Sequence, residues 1–173
     1  MLKIICQVLI IFFISGYTVS GKLKEFSHTD SSSSNTYVYL VLPFNLIDIY
    51  DHENFSEFRT NIWDAFNAKL VGNGYSIIEV YVSDSTLSST SKDQIGKLLN
   101  ADIVIFGTIR DVSMGTKGLS EKLFIKINAL DLKTNKLIWE SRHELTVNLS
   151  LYAKDKARLL ADSYIRRLTI MGY

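Results

Sequence analysis

The sequence holds one cysteine, Cys6, and one proline, Pro43, in 173 residues. A single thiol excludes an intramolecular disulfide, so a folded domain must hold by packing alone. The three histidines, His28, His52 and His143, form no His-x-x-x-His pair and have no second cysteine to join them. That leaves no zinc-ligand spacing, and the expectation is no metal and no cofactor. An excess of charge is missing too: 19 Lys and Arg stand against 18 Asp and Glu, a formal net charge of +1. This balance excludes the field that wraps nucleic acid or concentrates an acidic substrate. Gly72-Asn73-Gly74 follows a helical pattern instead of opening one, and Gly115-Thr116-Lys117-Gly118 lacks the Gly-Lys-Ser/Thr ending, so neither is a phosphate cradle. No serine sits in a Gly-x-Ser-x-Gly elbow.

What is present is unevenly spread. Ile4 to Ile14 carries ten apolar side chains and one polar one, Gln7, with Lys3 before it and Ser15, Gly16, Thr18, Ser20 and Gly21 after it. A basic start, an apolar run and a small-residue tail are the parts of an export signal, expected over residues 1–20 with cleavage after Ser20. The run is about half the ~20 residues that a spanning helix needs, and the alternatives are an uncleaved anchor and a buried core strand or helix. Cleavage would remove Lys3 and leave 153 residues with 18 basic and 18 acidic side chains. A bacterial lipid-anchor signal needs its cysteine after the apolar run, where Ile14-Ser15-Gly16-Tyr17 has tyrosine, so no lipobox is present. Residues 21–36, with Ser31-Ser32-Ser33-Ser34, read as a flexible polar tether.

Residues 37–173 are long enough for one domain. Tyr37 to Leu42 is a strand closed by Pro43. Asn54 and Glu57 have capping-box spacing, and Phe55, Phe58, Ile62, Phe66 and Leu70 form one stripe of a helix ended by Gly72 and Gly74. Tyr75 to Val82 is a second strand. The Ser/Thr-rich stretch Ser83 to Ser91 leads to a short helix through Ile95, Leu98 and Leu99. Ala101 to Ile109, apolar on both parities, reads as a central strand covered on both faces. Asp111 to Glu121 is a polar loop. Leu123 to Ala129 and Leu137 to Arg142 alternate and flank a turn at Asp131–Lys136, an antiparallel hairpin. A last helix begins near Asn148 or Ser150, with Ala153, Ala157, Leu160, Ala161, Tyr164 and Leu168 on one face. The order β-α-β-α-β-β-β-α predicts a single α/β domain, bordering on α+β, with a mixed sheet of about five strands packed with three helices.

Asp84, Asp102, Asp111 and Asp131 stand near strand ends, where α/β enzymes place functional carboxylates, but turns and helix starts also use aspartate. No catalytic residue is expected from them. The nine tyrosines, among them Tyr37, Tyr39, Tyr75, Tyr81, Tyr152 and Tyr164, suit either strand faces or a protein interface. The Asp111–Glu121 loop is a further candidate contact.

The strand Ala101-Asp102-Ile103-Val104-Ile105-Phe106-Gly107-Thr108-Ile109 resembles the Ala-Asp-x-Val-Ile-x-Gly strand of the LpoB/CsgG/TolB N-terminal-like family of bacterial envelope accessory proteins. Phe124 through Trp139, with Asp131, Thr134 and Trp139, resembles its Leu-Val-Asp-x-x-Thr-Gly-x-Val-x-Trp hairpin, with Asn135 at the turn in place of glycine. Leu42-Pro43-Phe44 and the Phe55–Leu70 helix are similar to its opening unit. The resemblance covers most of residues 37–169 and implies a TolB N-terminal-like domain without enzymatic activity. It implies a periplasmic or envelope-associated scaffold, with partners in an envelope or secretion complex, such as a peptidoglycan synthase or an outer-membrane component, and with oligomers possible inside an assembly. The alternatives are a small exported hydrolase, needing Asp84, Asp111 or Asp131 to converge with His52 or His143, and a released virulence-type factor.

Overall fold

The structure is a computed structural model that describes residues 9–14, 17–24, 37–49, 52–112 and 121–173. Its sheet begins with a hairpin of β1 (Leu9–Ile14) and β2 (Tyr17–Lys24), followed by β3 (Val38–Val41) and β4 (Asn45–Ile47). Then come α1 (His52–Gly72), β5 (Ser76–Tyr81), α2 (Asp84–Ser89), α3 (Lys92–Leu98), β6 (Ile103–Asp111), β7 (Glu121–Asp131), β8 (Lys136–Val147) and α4 (Leu149–Ile170).

The strands form one mixed sheet in the order β1-β2-β5-β3-β6-β7-β8, with β4 also on β6. β3 pairs parallel with β5 and β6, and β4 parallel with β6. The remaining ladders are antiparallel. The expected five strands are β3, β5, β6, β7 and β8. β1, β2 and β4 extend them to eight, and the Ser-rich stretch supplies an additional helix, α2. Gly21–Lys24, expected in the tether, are instead the end of β2, opposite Val80, Glu79, Ile78 and Ile77 of β5. The rest of the tether, with His28, and most of the Asp111–Glu121 loop lie outside the described residues.

Periodicity explains the long helices. The stripe Phe55, Phe58, Ile62, Phe66 and Leu70 is wholly buried, as an apolar face repeating every three or four residues requires. α1 starts at His52, two residues before the expected Asn54 cap. It ends as glycine dictates: Gly74 has φ +83°, Gly74 N donates to Val71 O and Tyr75 N to Leu70 O, a Schellman closure. α4 buries the expected Ala153, Ala157, Leu160, Ala161, Tyr164 and Leu168.

α1 and α4 lie side by side on one sheet face, over a core that includes Tyr39, Val41, Ile77, Ile105, Ile125 and Ile127. The opposite face is covered over a shorter span. α2 and α3 close a smaller core of Leu40, Leu42, Ile78, Val80, Leu87, Ile95 and Val104. β3 is buried on both faces, and so is the first part of β6, as the unbroken apolar run of β6 predicts.

Candidate interaction surface

In open α/β sheets, ligands sit beyond the carboxyl ends of parallel strands, where the strand order reverses. Here the crossover through α1 leads from β3 to β5, and that through α2 and α3 leads back to β6 on the other side of β3. The reversal therefore falls between β3 and β6. It is closed. After Pro43 the chain does not turn straight into a helix; β4 carries on beside β6, pairing Asn45, Leu46 and Ile47 with Thr108, Ile109 and Arg110. Leu42 N donates to Ile105 O at 2.9 Å across the break. Phe44, fully buried, lies against Gly107. A Cβ on Gly107 would stand 2.7 Å from the Phe44 ring and 2.3 Å from Lys126 O, so only glycine fits.

Beside this closed crevice, a cleft of about 140 Å³ is lined by Pro43, Arg59, Thr60, Trp63, Val80, Val82 and Asp84. That is below the ~300 Å³ of common small-molecule sites. Its polar groups are spent on structure: Trp63 Nε1 donates to Val41 O at 2.7 Å, and Arg59 pairs with Asp84 at 2.7 Å. A groove of about 340 Å³ between α1 and α4 is lined by charges of both signs and crossed by the Lys69–Asp162 pair at 2.6 Å.

The carboxylates singled out by sequence take structural posts. Asp102 Oδ2 accepts from Val38 N at 2.9 Å, and its Oδ1 meets Lys133 Nζ at 3.0 Å, a hydrogen bond that raises the Lys133 pKa. Asp131 Oδ1 accepts from Lys133 N and Thr134 N at 2.8 and 3.2 Å, which forms the β7–β8 turn. Asp111 ends β6 opposite Leu123, while Asp131 is at the other end of β7 opposite Lys136. Eight residues of strand, roughly 26 Å, separate those rows. Asp84 starts α2, beyond β5, and His52 opens α1. His143 lies on β8 opposite Ile125, its Nε2 3.2 Å from Ser141 Oγ. Asp84, Asp111 and Asp131 are thus distributed over separate parts of the sheet and do not converge on one pocket. Among the described residues, no group of three His, Cys, Asp or Glu has metal-ligand geometry.

The tyrosines divide as well. Tyr39, Tyr75 and Tyr164 are in the core, Tyr39 against Tyr75 with centroids 5.0 Å apart. Burial pushes the Tyr39 and Tyr164 phenols well up from their ordinary pKa. Tyr37 and Tyr173 meet with their rings tilted, centroids 5.6 Å apart, and Tyr152 is exposed.

Among the described residues, no helix covers the face of β6, β7 and β8 beyond α3. That face presents Phe106, Thr108, Phe124, Lys126, Glu140, Arg142 and Glu144 on one parity. Glu140 is central to it, 2.7 Å from Lys126 Nζ and 2.8 Å from Arg142 Nη2, and the Lys126 hydrogen bond holds its carboxyl below the usual range. Half-buried Phe106 and Phe124 interrupt these charges. The mixture of aromatic and paired charged groups suits a protein surface better than a solute. Sequence reasoning missed this face. Alternation marks two faces of a hairpin, but not which one a helix will leave uncovered.

No family model and no curated protein sequence matches the chain. Solved structures do. A point variant of the PelC dodecamer from Paraburkholderia phytofirmans is 12% identical, with 84% of this chain and 96% of that one covered and a TM-score of 0.51. Lipoprotein GNA1162 from Neisseria meningitidis is 12% identical, with 77% and 98% covered and a TM-score of 0.50. The LpoB C-terminal domain from Escherichia coli is 13% identical, with 67% and 87% covered and a TM-score of 0.40. The similarity is one of fold: the chain shares its architecture with PelC and with lipoprotein GNA1162, and the expected α/β architecture stands at that level.

Proposed function

We propose that the protein is a non-enzymatic accessory or scaffold of the bacterial cell envelope, exported to the periplasm, that binds partner proteins of an envelope or secretion assembly through the open β6–β7–β8 face. The observation that carries this reading is the closed switch point. The place where such a sheet would take a small ligand is filled by β4 and Phe44, while among the described residues no helix covers the broad β6–β7–β8 face. Two further features support it: the leader pattern at residues 1–20, and a fold shared with a lipoprotein and with a protein that forms a dodecamer. Cleavage after Ser20 would remove β1 and the first half of β2 and leave Gly21–Lys24 against β5.

A photo-crosslinking amino acid at Phe124 or Lys126, introduced in the producing cells, tests the surface. The expected result is a discrete adduct with one envelope protein in the membrane fraction. Free protein in a periplasmic extract, without adducts, would refute the scaffold reading.

A further inference from the structure

Among the described residues, β8 pairs on one side only, with β7, and its outer edge presents backbone N–H and C=O groups along Lys136–Val147. An edge of this length accepts another strand readily. Its regular part is defined by a bulge. The register with β7 shifts between Ala129 and Leu130, opposite Trp139 and Leu137, and is unbroken from Trp139 to Val147. The middle residue of that stretch is His143.

We propose that a second copy of this chain docks on this edge, β8 against β8 and antiparallel, about a two-fold axis through His143. In this register Arg142 meets Glu144 of the second copy, and symmetry repeats the pair. Ser141 meets Leu145, Glu140 meets Thr146, and Trp139 meets Val147, so the whole regular stretch is used. Neighbouring registers are worse. An axis at Arg142 sets Arg142 against its own copy and Glu140 against Glu144, and an axis at Glu144 sets two glutamates face to face; like charges directly opposite are destabilising. An axis at Ser141 would pair Glu140 with Arg142 but run past Trp139 into the bulge, leaving only the stretch from Trp139 to His143 regular.

A second observation points the same way. α4 turns Lys154, Arg158 and Asp162 toward α1, and Arg167 on its other flank reaches over Trp139 of β8, 5.4 Å from the ring. That other flank also bears Tyr152, Leu159 and Ile170, exposed at 55%, 62% and 78%. Spacings of seven and eleven residues keep the three in one row of the helix. A two-fold axis normal to the sheet at His143 brings α4 and its copy side by side and antiparallel, with these apolar rows on the facing flanks. Such a contact is isologous, the same patch on both molecules, which is why the occupant is a second copy and not an unrelated chain.

The test uses the purified chain carrying Cys6→Ser. Sedimentation should show a concentration-dependent dimer. His143→Cys should join two copies through a short bismaleimide, whereas Thr146→Cys should not, since those two positions would be roughly 20 Å apart. Glu144→Arg should weaken dimerisation about tenfold, and Arg142→Glu combined with Glu144→Arg should restore it. A chain monomeric at every concentration, linkage at position 146 instead of 143, or no rescue by the charge exchange would overturn the proposal. Protection of β8 amides by another polypeptide, with the pure chain monomeric, would give the edge to that partner and overturn it equally. The assay holds a single protein, so its outcome is independent of whether the chain serves an envelope complex.

Discussion

Gly107 has no room for a side chain in any direction that matters, because one of its neighbours is the backbone oxygen of Lys126 in the adjoining strand. A flexible side chain could give way, but a laddered carbonyl cannot. Gly107→Ala should therefore destabilise the fold by about 3 kcal/mol, as overpacking of a close-packed core does, readable by urea unfolding. His143 shows a different single-residue effect. Burial first, and then the Arg167 guanidinium, hold its pKa below the ordinary 6.5. The folded state thus prefers the neutral imidazole and the unfolded chain binds the proton more readily. Stability from this group is present above about pH 6.5 and is lost as pH falls through that value toward the lower folded pKa. Arg167→Gln should raise the His143 pKa in an NMR titration; an unchanged midpoint would remove Arg167 as a cause.

Elements were legible in proportion to their periodicity. α1 and α4 repeat an apolar face over five or six turns, and β6 is apolar on both parities, so each announces its burial. β4 has three residues and no period, and it exists because β6 offers an edge beside Pro43. α2 is masked by serine-rich composition. It is held by the Ser83 cap, which accepts from Thr86 N at 3.3 Å, and by Arg59 reaching over from α1, a contact 25 residues away that local propensity cannot reveal. The candidate surface was illegible for a related reason: which strand is an edge, and which face lacks a helix, are properties of topology. The β7–β8 turn was legible because its chemistry is local. Asp131 binds two backbone N–H groups there, and Asn135 takes φ +53°. Asn135→Gly should leave thermal stability nearly unchanged, while Asn135→Val should cost about 1–2 kcal/mol, the usual penalty of the left-handed conformation for a residue with a crowded Cβ.

At the scale of the molecule, the sheet is covered unequally. One face lies under α1 and α4, helices of 21 and 22 residues, and the other under α2 and α3, with 6 and 7. Both cores are built from residues Tyr39 onward among the described side chains. Loss of the leader should therefore leave the domain folded. Protein recovered from the producing cells should have an intact mass that begins at Gly21 and retain its cooperative unfolding; a mass that includes Met1 would favour the anchor instead. Among the described residues no helix is long and apolar enough to cross a membrane.

The position of β2 has a mechanical consequence. It lies five strands away from β8, at ~4.8 Å per step roughly 24 Å across the sheet. The N-terminal strand β2 therefore lies on the side of the sheet remote from the β8 edge. Pulling on the N-terminal segment loads the short β2–β5 ladder and spares β8. Two copies joined at β8 would carry their N-terminal segments at the outer margins of one continuous sheet, roughly 50 Å apart. Such a pair would act as a spreader, holding two attachment points at a fixed distance.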